Sequence, residues 1–153
     1  MRLSVIVSTY NQPDWLEKVV WGYVAQSEQN FELVVADDGS GAETRQLIQR
    51  LRRETGLNLR HVWHEDHGFR KCTILNRAIV ESTGDYLVFS DGDCIPRHDF
   101  LAAHVRHAKA GHYLSGGYFK LPLAISKRIT RDDIYLHRAT SAVWLRDRGL
   151  PLS

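Results

Sequence analysis

The 153-residue sequence predicts an α/β fold, a Rossmann-like three-layer α/β/α sandwich around a mostly parallel sheet. Three observations carry that expectation. Apolar, β-branched runs alternate with segments of helical periodicity. The helical segments run to about a dozen residues, enough for right-handed crossovers between parallel strands. The strands end in polar and acidic residues, as they do in open sheets that bind ligands at their carboxyl ends.

"LSVIVSTY" (Leu3–Tyr10) is nearly continuously apolar, the pattern of a strand buried on both faces. Pro13 suits the first position of the helix that follows, where its missing N–H costs nothing. Leu16, Val19, Val20, Tyr23 and Val24 form the apolar face of that helix. "FELVVADDGS" (Phe31–Ser40) is a second strand, and Ser40 with Glu43 reads as a capping box for a helix whose stripe includes Leu47, Ile48 and Leu51. Gly56 is a helix stop before a weaker strand, "LNLRHVWH" (Leu57–His64). Phe69–Ser82 reads as a third helix with Cys72, Leu75 and Ile79 on one face. "YLVFS" (Tyr86–Ser90) is the fourth strand. A helix over Asp99–Ala110 and a fifth strand, "YLSGGYFKLP" (Tyr113–Pro122), complete the pattern, and the signals weaken after Pro122.

Composition narrows the function. Hydrophobic residues make up 43% and charged residues 25% of the chain, the balance of a globular domain rather than a disordered one. A net charge of +2 does not argue for a nucleic-acid partner. The basic residues between Arg45 and Arg60 fall at helix-surface spacing and read as a solvated face. Two cysteines, Cys72 and Cys94, form no disulfide framework and fit a reduced, cytosolic setting as small buried apolar groups. No charged segment precedes a long apolar stretch, so no signal peptide is expected. No run approaches the ~20 apolar residues of a membrane helix, although work at a membrane surface is compatible with the sequence.

Four strand ends are polar: Ser8–Asn11, Ala36–Ser40, His64–Arg70 and Ser90–Cys94. Asp37-Asp38-Gly39-Ser40 has the composition of a turn and helix cap. A carboxylate there also suits a nucleobase N–H or a sugar hydroxyl, and both readings stand on the residues alone. His64, Glu65, Asp66 and His67 match no zinc spacing and read as a polar loop. Arg70 and Lys71 fall in the first turn of a helix, where cations oppose the dipole. An anion such as a diphosphate relieves that conflict, and exposed basic residues are the plain alternative. Asp91-Gly92-Asp93 is the sharpest feature. Hard divalent cations are held by one or two carboxylates plus substrate phosphates, and the glycine lets the chain turn or a ligand approach closely. His98, His104, His107 and His112 read as surface or half-buried side chains, and Trp15, Trp21 and Trp63 as packing residues. No GxGxxG follows a strand, which argues against a dinucleotide-dependent oxidoreductase. A phosphoacceptor signalling domain wants its acid pair after the first strand, and here the pair follows the second.

"LSVIVSTYNQPDWLEKVV", "FELVVADDGS", "GFRKCTILNRAIVESTGDYLVFSDGDC" and the following "IP" resemble the family 2 glycosyltransferases of the nucleotide-diphospho-sugar transferase (type A) fold, from about Arg2 to Pro122. The resemblance implies inverting transfer of a sugar from a nucleotide-sugar donor, usually a UDP-sugar, to a saccharide or lipid-linked acceptor. It also implies Mn²⁺ or Mg²⁺ as cofactor and work in the cytoplasm or at the cytoplasmic membrane face. Ser8, Tyr10 and Asn11 would line the nucleotide end of the first strand, and Asp38 would bind the base. Arg70 and Lys71 would lie near the diphosphate, Asp91 near the ribose or metal, and Asp93 would ligate the metal. Residues 1–122 then form the nucleotide-sugar-binding domain and residues 123–153 the start of an acceptor-side region. The stretch "ISKRITRDDIYLHRATSAVWLRDRGLPLS" contains adjacent acids only at Asp132 and Asp133, which look like a helix start rather than a catalytic base.

Overall fold

The computed structural model describes residues 1–150. The first elements are β1 (Leu3–Thr9), α1 (Pro13–Val24), β2 (Phe31–Asp37), α2 (Ala42–Thr55), β3 (Leu59–Trp63), α3 (Lys71–Glu81) and β4 (Tyr86–Asp91). The shorter α4 (Phe100–His107), α5 (Leu123–Arg128), α6 (Arg131–Tyr135) and α7 (Ala142–Asp147) follow. The chain forms two compact units, residues 1–17 with 29–94, and residues 18–28 with the chain from 95 onward.

The first unit is a parallel sheet in the order β3-β2-β1-β4, flanked by helices. Every residue of β1 and β2 is buried, so both sheet faces are covered, as the continuous apolar runs predict. Ile6, Val34, Ala36 and Val62 pack against Ile74 and Ala78 of α3. Fully burying a side chain such as Ile74 is worth about 1.5–3 kcal/mol. The sequence expectation put Cys72 and Ile79 on this face. Instead both are exposed, and the helix turns its 74/78 stripe inward. Both stripes have helical spacing, and only packing chooses between them.

At the amino end of the sheet, the buried Glu32 is a staple. Its Oε1 accepts from Ser4 Oγ at 2.6 Å, Thr83 N–H at 2.6 Å and Thr83 Oγ1 at 3.0 Å. Burial pushes the Glu32 carboxyl upward, but these bonds and the Arg60 charge outweigh it and hold the group below the usual range.

Helix α2 buries Leu47, Ile48 and Leu51 and ends at Gly56 in the left-handed conformation, as expected. Its start differs from expectation: Gly41 is the N-cap, with no side-chain cap bond. Ser40 Oγ instead accepts the Asn11 N–H at 2.8 Å, so the hydroxyl that would cap the helix ties down the end of β1.

The second unit is built from short helices. Gln26 donates to the carbonyls of Gly22 (3.1 Å) and Arg97 (2.8 Å) and accepts from Leu101 N–H (3.0 Å). Ile125, Leu145 and Leu150 form a small apolar cluster. The predicted fifth strand is absent among the described residues, and residues 109–120 are all exposed. A strand needs a neighbour's N–H and C=O groups, and no described segment pairs with this one. No helix among the described residues is long and apolar enough to cross a membrane.

Candidate functional site

The chain runs from β1 to β2 to β3 on one side, then returns to place β4 on the other side of β1. Order therefore reverses at the β1/β4 boundary, and open α/β sheets bind ligands beyond the strand ends at such a point. Ser8 and Asp91 are register partners there, and Ser8 Oγ donates to Asp91 Oδ1 at 2.8 Å. Lys71, the first residue of α3, reaches the same oxygen at 2.6 Å. The Lys71 hydrogen bond holds the Asp91 carboxyl below its usual range, against an upward push from burial and with help from Ser8. Ser8, Lys71, Leu75, Phe89, Ser90 and Asp91 line an open depression of about 250 Å³.

Gly92 N–H donates to Ser8 O at 2.7 Å, and a Cβ at this position would lie 2.7 Å from that carbonyl oxygen. Only glycine fits so close to β1. The turn leaves Asp91 and Asp93 exposed, with one ligand atom each from Asp91, Asp93 and Cys94 within 4.8 Å of one another. Two carboxylates suit a hard divalent cation. Burial and the neighbouring Asp93 push the Cys94 thiol up to about 11, and its soft sulfur suits a hard divalent cation less well than the two carboxylates do. Both cysteines correct the expectation of buried thiols: Cys72 is exposed and Cys94 half-buried.

The other acid pair is arranged differently. Asp37 Oδ1 accepts from Ser40 N–H at 2.8 Å and Asp37 Oδ2 pairs with His61 Nε2 at 2.8 Å. Asp38 Oδ1 pairs with His64 Nε2 at 2.7 Å and Asp38 Oδ2 accepts the Arg70 N–H at 2.9 Å. Asp37 and Asp38 are 0% and 5% exposed, and His64 8%. Asp38 N–H donates to Thr9 O at 3.0 Å, so this turn, like Gly92, hangs from the end of β1. The β3–α3 loop closes over it. Gly39 has φ +99°, and a Cβ there would meet Asp66 Cα at 2.7 Å.

Tyr10 is half-exposed, and its hydroxyl donates to Asp66 Oδ2 at 2.9 Å. That bond raises the Tyr10 pKa, while Asp66 is lowered first by the Gly68 N–H and then by Tyr10. Asn11 stands at φ 48°, and its Oδ1 accepts the Gly41 N–H at 3.0 Å. Arg70 is the N-cap of α3 and its side chain is exposed. Of the residues singled out from the sequence, Ser8, Lys71 and Asp91 are in direct contact, with Asp93 two residues on. Asp38 is joined to Arg70 through the backbone.

Sequence reasoning missed the partners His61 and His64. A strand-register argument points to His61: Val35 pairs with His61 and Asp37 with Trp63, so Asp37 and His61 sit one side-chain period apart on adjacent strands. His64 lies beyond the strand, and no linear signal links it to Asp38. Asp133 closes a capping box with Thr130 at the start of α6, as the reading of Asp132-Asp133 as a helix start expects.

The sequence profile of glycosyl transferase family 2 matches residues 4–138. Validoxylamine A glucosyltransferase of Streptomyces hygroscopicus subsp. jinggangensis is 31% identical over 114 residues, which cover 71% of this chain and 26% of that protein. Among solved structures, S. aureus TarS (residues 1–349) aligns with a TM-score of 0.63 and 28% identity over 69% of this chain and 32% of that one. The mannosyltransferase PcManGT from Pyrobaculum calidifontis, in complex with GDP-Man and Mn²⁺, aligns with a TM-score of 0.60 and 31% identity over 69% and 31%. The match thus spans only about a quarter to a third of each of these proteins.

Proposed function

Because this chain belongs to glycosyl transferase family 2, we propose that its sheet edge binds a UDP-sugar and supports metal-assisted, inverting transfer of a hexose to a saccharide or lipid-linked acceptor. The observation that carries the reading is the meeting of Ser8, Lys71 and Asp91 at the point where strand order reverses, beside the exposed Asp93. Complexes of TarS with UDP-GlcNAc and of PcManGT with GDP-Man and Mn²⁺ support the donor class and the cation. A cytoplasmic setting, at a membrane face when the acceptor is lipid-linked, goes with this reading.

In this reading Asp38 accepts an N–H of the base, and Ser8, Tyr10 and Asn11 border the nucleotide. Arg70 and Lys71 set positive charge against the diphosphate. Asp91 and Asp93 would hold Mn²⁺ or Mg²⁺, with Asp91 also near the ribose. When bound, the cation supplies charge that offsets the negative charge developing on the departing nucleoside diphosphate. Lys71 already neutralises Asp91, so it stands within reach of both the carboxylate and an incoming phosphate. Residues 1–122 supply the donor-binding part and residues 123–153 begin the acceptor side.

Calorimetry with UDP tests the reading: Asp38→Ala should lower affinity about tenfold, the scale of a hydrogen bond to a charged group, with or without Mn²⁺. Equal affinity for UDP in wild type and variant would remove Asp38 from the site. A second reading, a non-catalytic nucleotide-sugar-binding module, is favoured by one observation. Asp133 is engaged as a helix cap rather than held ready as a base. UDP-sugar binding with neither hydrolysis nor transfer would decide for it.

A further inference from the structure

We propose that His64 is a positioning residue that sets base selectivity by locking the Asp38 carboxylate. The inference rests on the donor-site reading and goes beyond it, because it assigns a role to a residue that does not itself touch the donor.

Asp38 and His64 are both more than nine-tenths buried, and they meet at 2.7 Å. The second Asp38 oxygen is fixed by the Arg70 N–H at 2.9 Å. The carboxylate is thereby held at both ends, from the β3–α3 loop and from the N-cap of α3. His64 is held in turn by its place in the chain. The preceding Trp63 donates its Nε1–H to Ser40 O at 3.0 Å, and Asp66 packs against Gly39. A carboxylate that accepts from two sides and cannot rotate is an acceptor in one fixed direction.

That chemistry selects among bases. Uracil offers a ring N3–H between two carbonyls. Cytosine, of the same size, offers an N3 lone pair that a carboxylate repels. A locked acceptor therefore favours UDP over CDP. A carboxylate released from His64 can swing away and lose that preference, while the sugar and diphosphate contacts stay as they are. If His64 merely supported the loop, its removal would weaken UDP and CDP alike.

The test is titration calorimetry of UDP and CDP, with and without Mn²⁺, on wild type, His64→Ala, His64→Gln and Asp38→Ala. The wild-type chain should prefer UDP. His64→Ala should lower UDP affinity about tenfold, as expected for a lost hydrogen bond to a charged group, and shrink the UDP/CDP ratio to that of Asp38→Ala. His64→Gln carries an N–H donor at a comparable reach and should retain most of the ratio. His64→Leu, which fills volume without a donor, replaces the alanine variant if that one does not fold. A folded donor-free variant with an unchanged ratio would overturn the proposal and leave the donor site standing. So would a ratio lost in His64→Gln, or unfolding of both donor-free variants, which would assign His64 to the fold alone. Failure of the wild-type chain to bind UDP would instead overturn the donor reading, and the proposal with it.

Discussion

Asp37-Asp38 and Asp91-Gly92-Asp93 sit on the same sheet edge and look alike in the sequence, yet their surroundings are opposite. The first pair is buried, and all four of its carboxylate oxygens have a partner: Ser40, His61, His64 and the Arg70 N–H. The second pair is exposed: Asp91 is engaged by Ser8 and Lys71, while Asp93 accepts from a weak donor, the Cys94 thiol, at 3.5 Å. A buried carboxylate must be satisfied, so its geometry is fixed by the fold. An exposed one keeps its orientation open. The same two letters thus serve as a rigid wall in one place and an open mouth in the other.

Four measurements sharpen or break that contrast. The largest effect is expected from Asp93→Ala, which should reduce Mn²⁺-dependent UDP binding by at least about 100-fold, since even outer partners of a metal site cost about 10–100-fold. Its stability should move by less than about 0.5 kcal/mol, as for an ordinary surface change. Unchanged Mn²⁺-dependent binding would remove the cation from the open pair.

Asp37→Ala should do the reverse. It strands the Ser40 N–H and the His61 ring in a buried setting, and each stranded group costs about 1–3 kcal/mol. Urea unfolding should show a loss of about 2–4 kcal/mol. A neutral result would mean that the buried pair is not structural.

Glu32 extends the buried class to the far end of the sheet and brings a pH dependence. Its carboxyl is held below the ordinary value, so the stability it adds is complete above the unfolded pKa of about 4.3. That stability is lost as pH falls through the lower, folded value. Wild type should exceed Glu32→Gln by about 1–2 kcal/mol at pH 7, with the gap closing in acid. A gap that persists at pH 2 would contradict this.

The smallest effect belongs to Lys71→Met. Asp91 should then titrate at higher pH than in wild type, followed by carboxyl NMR, with stability hardly changed because the ion pair is largely solvated. An unmoved titration would show that Lys71 does not hold Asp91 in solution.

Legibility in the sequence followed burial. β1, α1, β2 and α2 could be read because they are buried along their whole length or along one stripe, and Pro13 and Gly56 mark real helix limits. The sequence pattern shows helix α3 but starts it too early, at Phe69 rather than Lys71. The Arg70 N–H is committed to Asp38, and Phe69 itself is exposed. The predicted fifth strand is absent among the described residues for another reason: Tyr113, Tyr118 and Phe119 have strand-like chemistry, but a strand exists only with a partner. In the site, the acids were visible as residue types. Their partners were not, because His64 and Asp38 are joined only by the meeting of two loops.

The two acid-bearing turns share one anchor. Asp38 N–H is tied to the Thr9 carbonyl and Gly92 N–H to the Ser8 carbonyl, consecutive groups at the end of β1. The spacing between the buried and the exposed acids is therefore gauged by a single peptide unit of the central ladder, the stiffest part of such a sheet. Two turns hung from one peptide unit should open together, and slow, matched hydrogen exchange of the Asp38 and Gly92 amides is the expected signature.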